Sequence, residues 1–420
     1  MAESWAFHAR TMRGDKTMRR FETEVTNAFR AKLEGIIEDG RSSAKRTIET
    51  VMREVPQDLI VRSKAMQFTP TPSSILAALP PYNPLIPKPI RQIHPIDNEL
   101  PAGIADTLAK SQATGFGKQK PTASPRIEYT IHNHPLSQMC YRVGVPWKYA
   151  QHLMGQGNWG NELLAHSLRQ HFLNSEARRF LVRSYNGQIR GFLSDRFRRL
   201  DSRPLVEAFC EACQNIGAVP VMGRATDTKV ELKAMIPIVF EPVDGEVVGF
   251  YVNWSNSDYG NGAHELSSGI IRLQCTNLAV MDTSIRNVHH GRRLDDSIKY
   301  SQRTYDLDNR AMASAIKDTV EQLLGEETTT ALCESIRASH EEKLSPNQMV
   351  ARLKKELNKG ETQSVIDAFN SPDVEMLPPG NSLWRLSNAI SWVANNTEDT
   401  ERRMDLERVA GKALAWANAA

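Results

Sequence analysis

The stretch that decides the fold reads Phe180-Leu-Val-Arg-Ser-Tyr185, then Asn186-Gly187, then Gln188-Ile-Arg-Gly-Phe-Leu193. Asn-Gly between two β-rich runs signals a two-residue β-hairpin, because both residues tolerate the positive φ of a type I′ turn. With that loop, Tyr185 faces Gln188, Ser184 faces Ile189, and Arg183 is expected directly opposite Arg190. Like charges opposed across a strand pair repel, by up to about 1 kcal/mol. The pattern therefore calls for an anion bridging the two guanidiniums, with Tyr185, Leu181 and Phe192 as aromatic and apolar surface beside it.

Working outward, Arg203 to Gly217 carries helical spacing and ends at its glycine. Strands are expected around Val230–Phe240 and Val247–Trp254, joined at a second turn signal, Asp244-Gly245. In Ile270–Thr276, Ile271, Leu273 and Cys275 alternate with Arg272 and Gln274, which predicts one buried and one wet face. Upstream, residues 126–150 mix a short strand with the entry to a helix, and 161–175 has helical period. Phe68 to Pro101 holds nine of the 22 prolines, so neither helix nor ladder is expected to persist there. Residues 15–64 read as an amphipathic helical arm through Phe21, Val25, Phe29, Leu33, Ile36 and Ile37. After Asp306, helices are expected at Ala311–Leu324, Thr329–His340, Asn347–Asn358 and Ser382–Asn395. Helices, then strands, then helices make an α+β class. The expected division is a helical arm (1–66), a proline-rich linker (67–125), an antiparallel hairpin-rich core (126–305) and a C-terminal helical region (306–420).

The 420 residues are 40% hydrophobic and 24% charged, ordinary for a globular chain and unlike collagen, a disulfide scaffold or a disordered segment. Lys and Arg total 52 against 49 Asp and Glu, a net +3, so any attraction for polyanions has to come from local clustering. Five cysteines, an odd number, point to a reducing compartment. No apolar run approaches a membrane span, and the Arg-rich N-terminus has no signal-peptide core behind it, so the expected setting is the cytoplasm, with no membrane partner.

Clustering is what the hairpin provides. Between Arg178 and Arg203 eight arginines face only Asp195 and Asp201, a local +6. Arginine suits forked contacts to phosphate. Arg183, Arg190, Arg196, Arg198 and Arg199 are the first candidates for a nucleic-acid backbone, with Arg292, Arg293 and Lys299 as a second basic segment. Tyr185, Phe197, Tyr251, Trp254 and Tyr259 are candidate stacking platforms for single-stranded bases. The plain alternative is that these arginines pair with carboxylates of the fold or of a partner subunit, and that the rings are core. His132 and His134, or one of the adjacent His289 and His290, with Asp295 and Asp296 are a weaker set for a divalent ion, and Cys210-x-x-Cys213 reads as buried helix rather than zinc ligand. Neither a Walker A loop, a GxGxxG turn, a GxSxG elbow nor an HExxH pair is present, and no cofactor is called for.

Three segments, Gly187–Asp201, Ser268–Val280 and Asn381–Ile390, in that order, resemble the phage/plasmid-like family of uncharacterised proteins. The resemblance covers roughly Leu163 to Gly411 and implies a protein of a phage or mobile element in a bacterial host cell, without assigning catalytic residues. The combined expectation is a homo-oligomeric nucleic-acid-binding protein, with single-stranded DNA favoured, acting in recombination, replication or DNA protection. A non-enzymatic assembly or host-interaction protein with a host or phage protein partner, and a metal-dependent nuclease, are the alternatives.

Overall fold

A computed structural model describes residues 23–80, 126–175, 178–273, 277–287, 289, 301–371 and 377–416. The chain forms two compact units, one from Met1–Pro56 with Arg196–Ala420, the other from Gln57–Asp195. The second unit is thus an insertion in the sequence of the first, a division the linear reading into arm, linker and core does not make.

The inserted unit is a six-stranded sheet in the order β1-β5-β6-β4-β3-β2. Its strands are β1 (Gln57–Arg62), β2 (Gln67–Pro70), β3 (Ile75–Leu79), β4 (Ile127–Ile131), β5 (Arg179–Tyr185) and β6 (Gln188–Ser194). All neighbours pair antiparallel except β4 and β6, which run parallel. Residues 57–79 therefore correct two expectations. The helix of the arm stops at Arg53, and the start of the expected linker is sheet. Pro70 is accommodated because it ends β2, an edge strand, where a missing N–H costs no interior ladder bond. The rest of the expected linker, 81–125, lies outside the described residues. Helices α2 (Asn133–Val143), α3 (Trp147–Met154) and α4 (Asn158–Asn174) pack their buried residues against the sheet. Phe68, Phe172, Phe180 and Phe192 interlock there, with ring centroids 4.6–5.9 Å apart.

The other unit holds a five-stranded antiparallel meander: β7 (Val219–Ala225), β8 (Val230–Val243), β9 (Glu246–Asn256), β10 (His264–Arg272) and β11 (Asn277–Asn287). Along β9, Val248, Phe250, Val252 and Trp254 join the core built with α5 (Ser202–Asn215), α6 (Gln302–Leu323) and α7 (Glu326–Glu341). The alternate residues Val247 and Tyr251 join a second core with Leu33 and Ile37 of α1 (Thr23–Arg53). Both faces are covered, so the expected wet side of Ile270–Arg272 does not exist. Arg272 is buried and donates to Glu246 at 2.6 and 2.8 Å, while Trp384 Nε1 donates to the same carboxylate at 3.0 Å. Helix α1 lies so close on β7 that a Cβ on Gly223 would meet Ala44 Cα at 2.5 Å, and one on Gly40 would meet Val221 at 2.4 Å.

The C-terminal helices continue with α8 (Pro346–Glu356), α9 (Lys359–Asn370), α10 (Leu383–Asn395) and α11 (Thr400–Ala415). The α+β class and the helical C-terminal region are as expected, with α9 and α11 as additions. No helix among the described residues is long and apolar enough to cross a membrane.

Candidate nucleic-acid interface

The turn at Asn186-Gly187 forms as its sequence dictates, with φ of 47° and 73°. Tyr185 pairs with Gln188 and Ser184 with Ile189, but the next partner of Arg183 is Gly191. One extra residue, Arg190, is bulged out of register, so the expected face-to-face pair of Arg183 and Arg190 is not formed. Arg183 is also 1% exposed and donates from Nε to Asp58 Oδ1 of β1 at 2.8 Å. The anion at Arg183 is a carboxylate of the same chain. The hairpin centre consequently holds no opposed pair of guanidiniums for a ligand to bridge.

The remaining sequence candidates scatter. Tyr185 is half-buried beside the turn, and Arg196, where the chain re-enters the other unit, is exposed. Arg198 forks onto Asp308 through Nε at 2.8 Å and Nη2 at 2.6 Å, and these bonds raise its pKa. Arg199 lies over the Tyr305 ring at 4.4 Å. Both act within their own unit as side-chain anchors for α6. Arg292, Arg293 and Lys299 lie outside the described residues, as do Asp295 and Asp296. Of the proposed stacking rings, Tyr251, Trp254 and Tyr259 are buried and Phe197 is stacked on His289 at 4.6 Å. His132 accepts from His134 N as the N-cap of α2. Among the described residues, no three His, Cys, Asp or Glu side chains gather as a metal site.

A like-charged pair does exist elsewhere. Across the β1–β5 ladder Arg62 faces Arg179. Next to it, Ser63 N donates to Arg178 O at 2.8 Å and Arg178 N to Ser63 Oγ at 3.3 Å, which fastens Lys64 and Arg178 into the same corner. Arg142, from the last turn of α2, lays its guanidinium against the Phe180 and Phe192 rings at 5.3 and 5.8 Å. Its packing against these rings and then the charge of Arg178 push its pKa down, while Asp195 and Tyr141 push the other way. Asp195 closes the corner by pairing with Arg179 at 3.4 Å. Five cations (Arg62, Lys64, Arg142, Arg178, Arg179) thus gather around this corner, where Asp195 pairs with Arg179. Arg62, Lys64, Arg142 and Arg178 are exposed. Tyr141, adjoining Arg142, is 88% exposed.

A second concentration of charge, in the other unit, is balanced. The register across the meander runs Arg224, Glu231, Ser255, Glu265, Arg286, under α11. Arg224 pairs with Glu231 at 3.3 Å and Glu407 at 2.8 Å, and the buried Lys233 pairs with the same two carboxylates. Arg408 reaches Glu265 at 2.9 Å. A cavity of about 200 Å³ beside this row is lined by Lys229, Glu265, Arg286, Asp405 and Arg408 among others. Matched cations and carboxylates dock a helix on a sheet. They do not attract a polyanion.

Arg178 and Arg179 belong to the basic run of the sequence, but no local pattern points to Arg62, Lys64 or Arg142. Their proximity follows from β1 pairing with β5 across more than a hundred residues, which no local pattern announces. No protein-family model, no curated protein and no solved structure matches the chain.

Proposed function

We propose that the chain is a nucleic-acid-binding protein of a phage or mobile element, which uses the basic corner of its inserted unit to hold a phosphate backbone. The observation that carries this reading is the opposition of Arg62 and Arg179 beside the exposed Lys64, Arg142 and Arg178, a concentration of cations in a chain whose net charge is only +3. A phosphate placed there relieves like-charge repulsion and is met by forked donors. The resemblance in sequence supplies the setting, a phage or mobile element in a bacterial cell; the role proposed there is recombination, replication or protection of DNA, with self-association to extend the corner along a strand. The chemistry needs no cofactor.

The test is fluorescence anisotropy with a labelled 30-nucleotide oligothymidylate across 50–300 mM salt. Binding that weakens steeply with salt is expected. In a variant carrying Arg62→Gln, Lys64→Gln and Arg142→Gln, the slope of log K against log salt should drop by about 2, from roughly 0.7 per lost phosphate contact on single strands. No binding at 50 mM salt overturns the proposal.

A further inference from the structure

If the corner holds phosphates, the bases have to go somewhere, and the rings first considered for them are mostly interior. The exposed rings are elsewhere. Tyr141 on α2 is 88% exposed, Trp159 on α4 55% and Tyr149 on α3 49%. All three belong to the helical layer of the same inserted unit. Exposed aromatic rings are the groups on which the unstacked bases of a single strand can lie.

The layer places them by ordinary helix geometry. In α4, Leu164, Leu168 and Phe172 are buried, and Trp159, Leu163, His166, Gln170 and Leu173 recur at steps of four and three on the opposite side. Gly160 sets the start of that stripe against α3, because a Cβ there would lie 1.9 Å from Leu153 O. Tyr149 stands one turn before Leu153, so it and Trp159 flank the same helix crossing. At the other end of the layer Tyr141 adjoins Arg142 in the basic corner.

Charge selects the occupant. From residue 131 to 175 the sequence has one carboxylate, Glu162, against Arg142, Lys148 and Arg169, and Asn158 Nδ2 donates to Glu162 at 2.7 Å. Lys148 of α3 and Arg169 of α4 are exposed on the same helical layer. Exposed rings interspersed with cations, and almost without carboxylates, fit a chain of alternating phosphates and aromatic bases. A duplex offers its phosphates but keeps its bases stacked inside.

We infer that Tyr141, Tyr149 and Trp159 form a stacking platform that gives the protein selectivity for single-stranded over double-stranded nucleic acid. This rests on the backbone-binding reading above and names its substrate class.

The experiment compares the full chain with Trp159→Ala, Tyr149→Ala and Tyr141→Ala on a labelled 30-nucleotide oligothymidylate and on a 30-base-pair duplex, at equal salt. Each substitution should weaken single-strand binding about 5- to 150-fold, the range for loss of one base–aromatic stack. Duplex affinity and the salt slope should stay as they were, and Trp159→Phe should restore most of the loss. Equal losses on both ligands, or none on either, overturn the platform while leaving the basic corner intact. So does a W159A protein whose only change is loss of a dimer or of an acidic protein partner. Failure of the parent protein to bind either ligand at 50 mM salt removes both readings together. Circular dichroism and thermal melts confirm that each variant is folded, as expected for substitutions at exposed rings.

Discussion

Arg183 and Asp58 face each other across the β1–β5 ladder, and the guanidinium Nε donates to the carboxylate at 2.8 Å with the arginine almost wholly buried. The most interior charge of the hairpin is neutralised by a strand more than a hundred residues away. Removing one partner of such a pair leaves an uncompensated charge in a low-dielectric site. Asp58→Asn should therefore destabilise the inserted unit by about 3 kcal/mol in urea unfolding. Asp58→Leu combined with Arg183→Met should cost less than Asp58→Asn alone. A loss below 1 kcal/mol for Asp58→Asn contradicts this role.

Arg198 and Arg62 separate a structural arginine from a ligand-binding one. The Arg198–Asp308 pair is about one-third exposed on each side, so solvent screening limits its worth. Arg198→Ala should cost about 1 kcal/mol of stability and leave affinity for oligothymidylate unchanged. Arg62→Ala should do the reverse, with an unchanged melting curve and weaker, less salt-dependent binding. An Arg198 variant that loses affinity without losing stability would return that residue to the interface.

His264 gives the protein an acid-sensitive interior. Burial, then the charges of His289 and Arg198, lower its pKa from 6.5 to about 4, while its Nε2 accepts from Trp254 Nε1 at 3.1 Å. Between those values the unfolded chain binds a proton that the folded chain does not, so stability rises with pH across the window and is lost as pH falls from 6.5 toward 4. The full gap corresponds to roughly 3 kcal/mol. Denaturant unfolding at pH 7, 5.5 and 4.5 should show this slope, and His264→Gln should flatten it. A slope identical in the variant means other groups set it.

The contact between α1 and β7 depends on Gly223 and Gly40 lacking a Cβ. Gly223→Ala forces the carbon against the Ala44 backbone, where no side chain can rotate away, and should cost about 1–3 kcal/mol. Gly35, with nothing within 4 Å of its would-be Cβ, is the control: Gly35→Ala should leave stability unchanged or slightly raised. Thermal melts of the two variants decide it.

The Asn-Gly turn, strands β8 and β9 and four of the C-terminal helices were legible because each is encoded locally, by turn chemistry or by apolar period, whereas β7 and β11 were not anticipated. The bulge at Arg190 was not, since an extra residue in one strand leaves the alternation on either side intact. Strands β1 to β3 escaped for a different reason. They are four to six residues long, interrupted by Pro70 and Pro72, and become strands only by lining up beside β5 and β4. The same non-local pairing hid the corner. Arg179 was visible as a basic flank, but its opposition to Arg62 requires the ladder to be known. The exposed rings could not be told from core rings, because Tyr149 and Tyr251 look alike until burial is seen.

Because Gln57–Asp195 interrupts the other unit, α1 leaves the ribosome well before the strand on which it will lie. Between Arg53 and Val219 stand more than 160 residues, on the order of 10–30 s of translation at bacterial and eukaryotic elongation speeds. Throughout that interval the stripe of Leu33, Ile37, Ala44 and Val51 has no meander to cover it. The nascent chain thus completes its inserted unit first and carries a naked amphipathic helix meanwhile, a natural client for a holding chaperone.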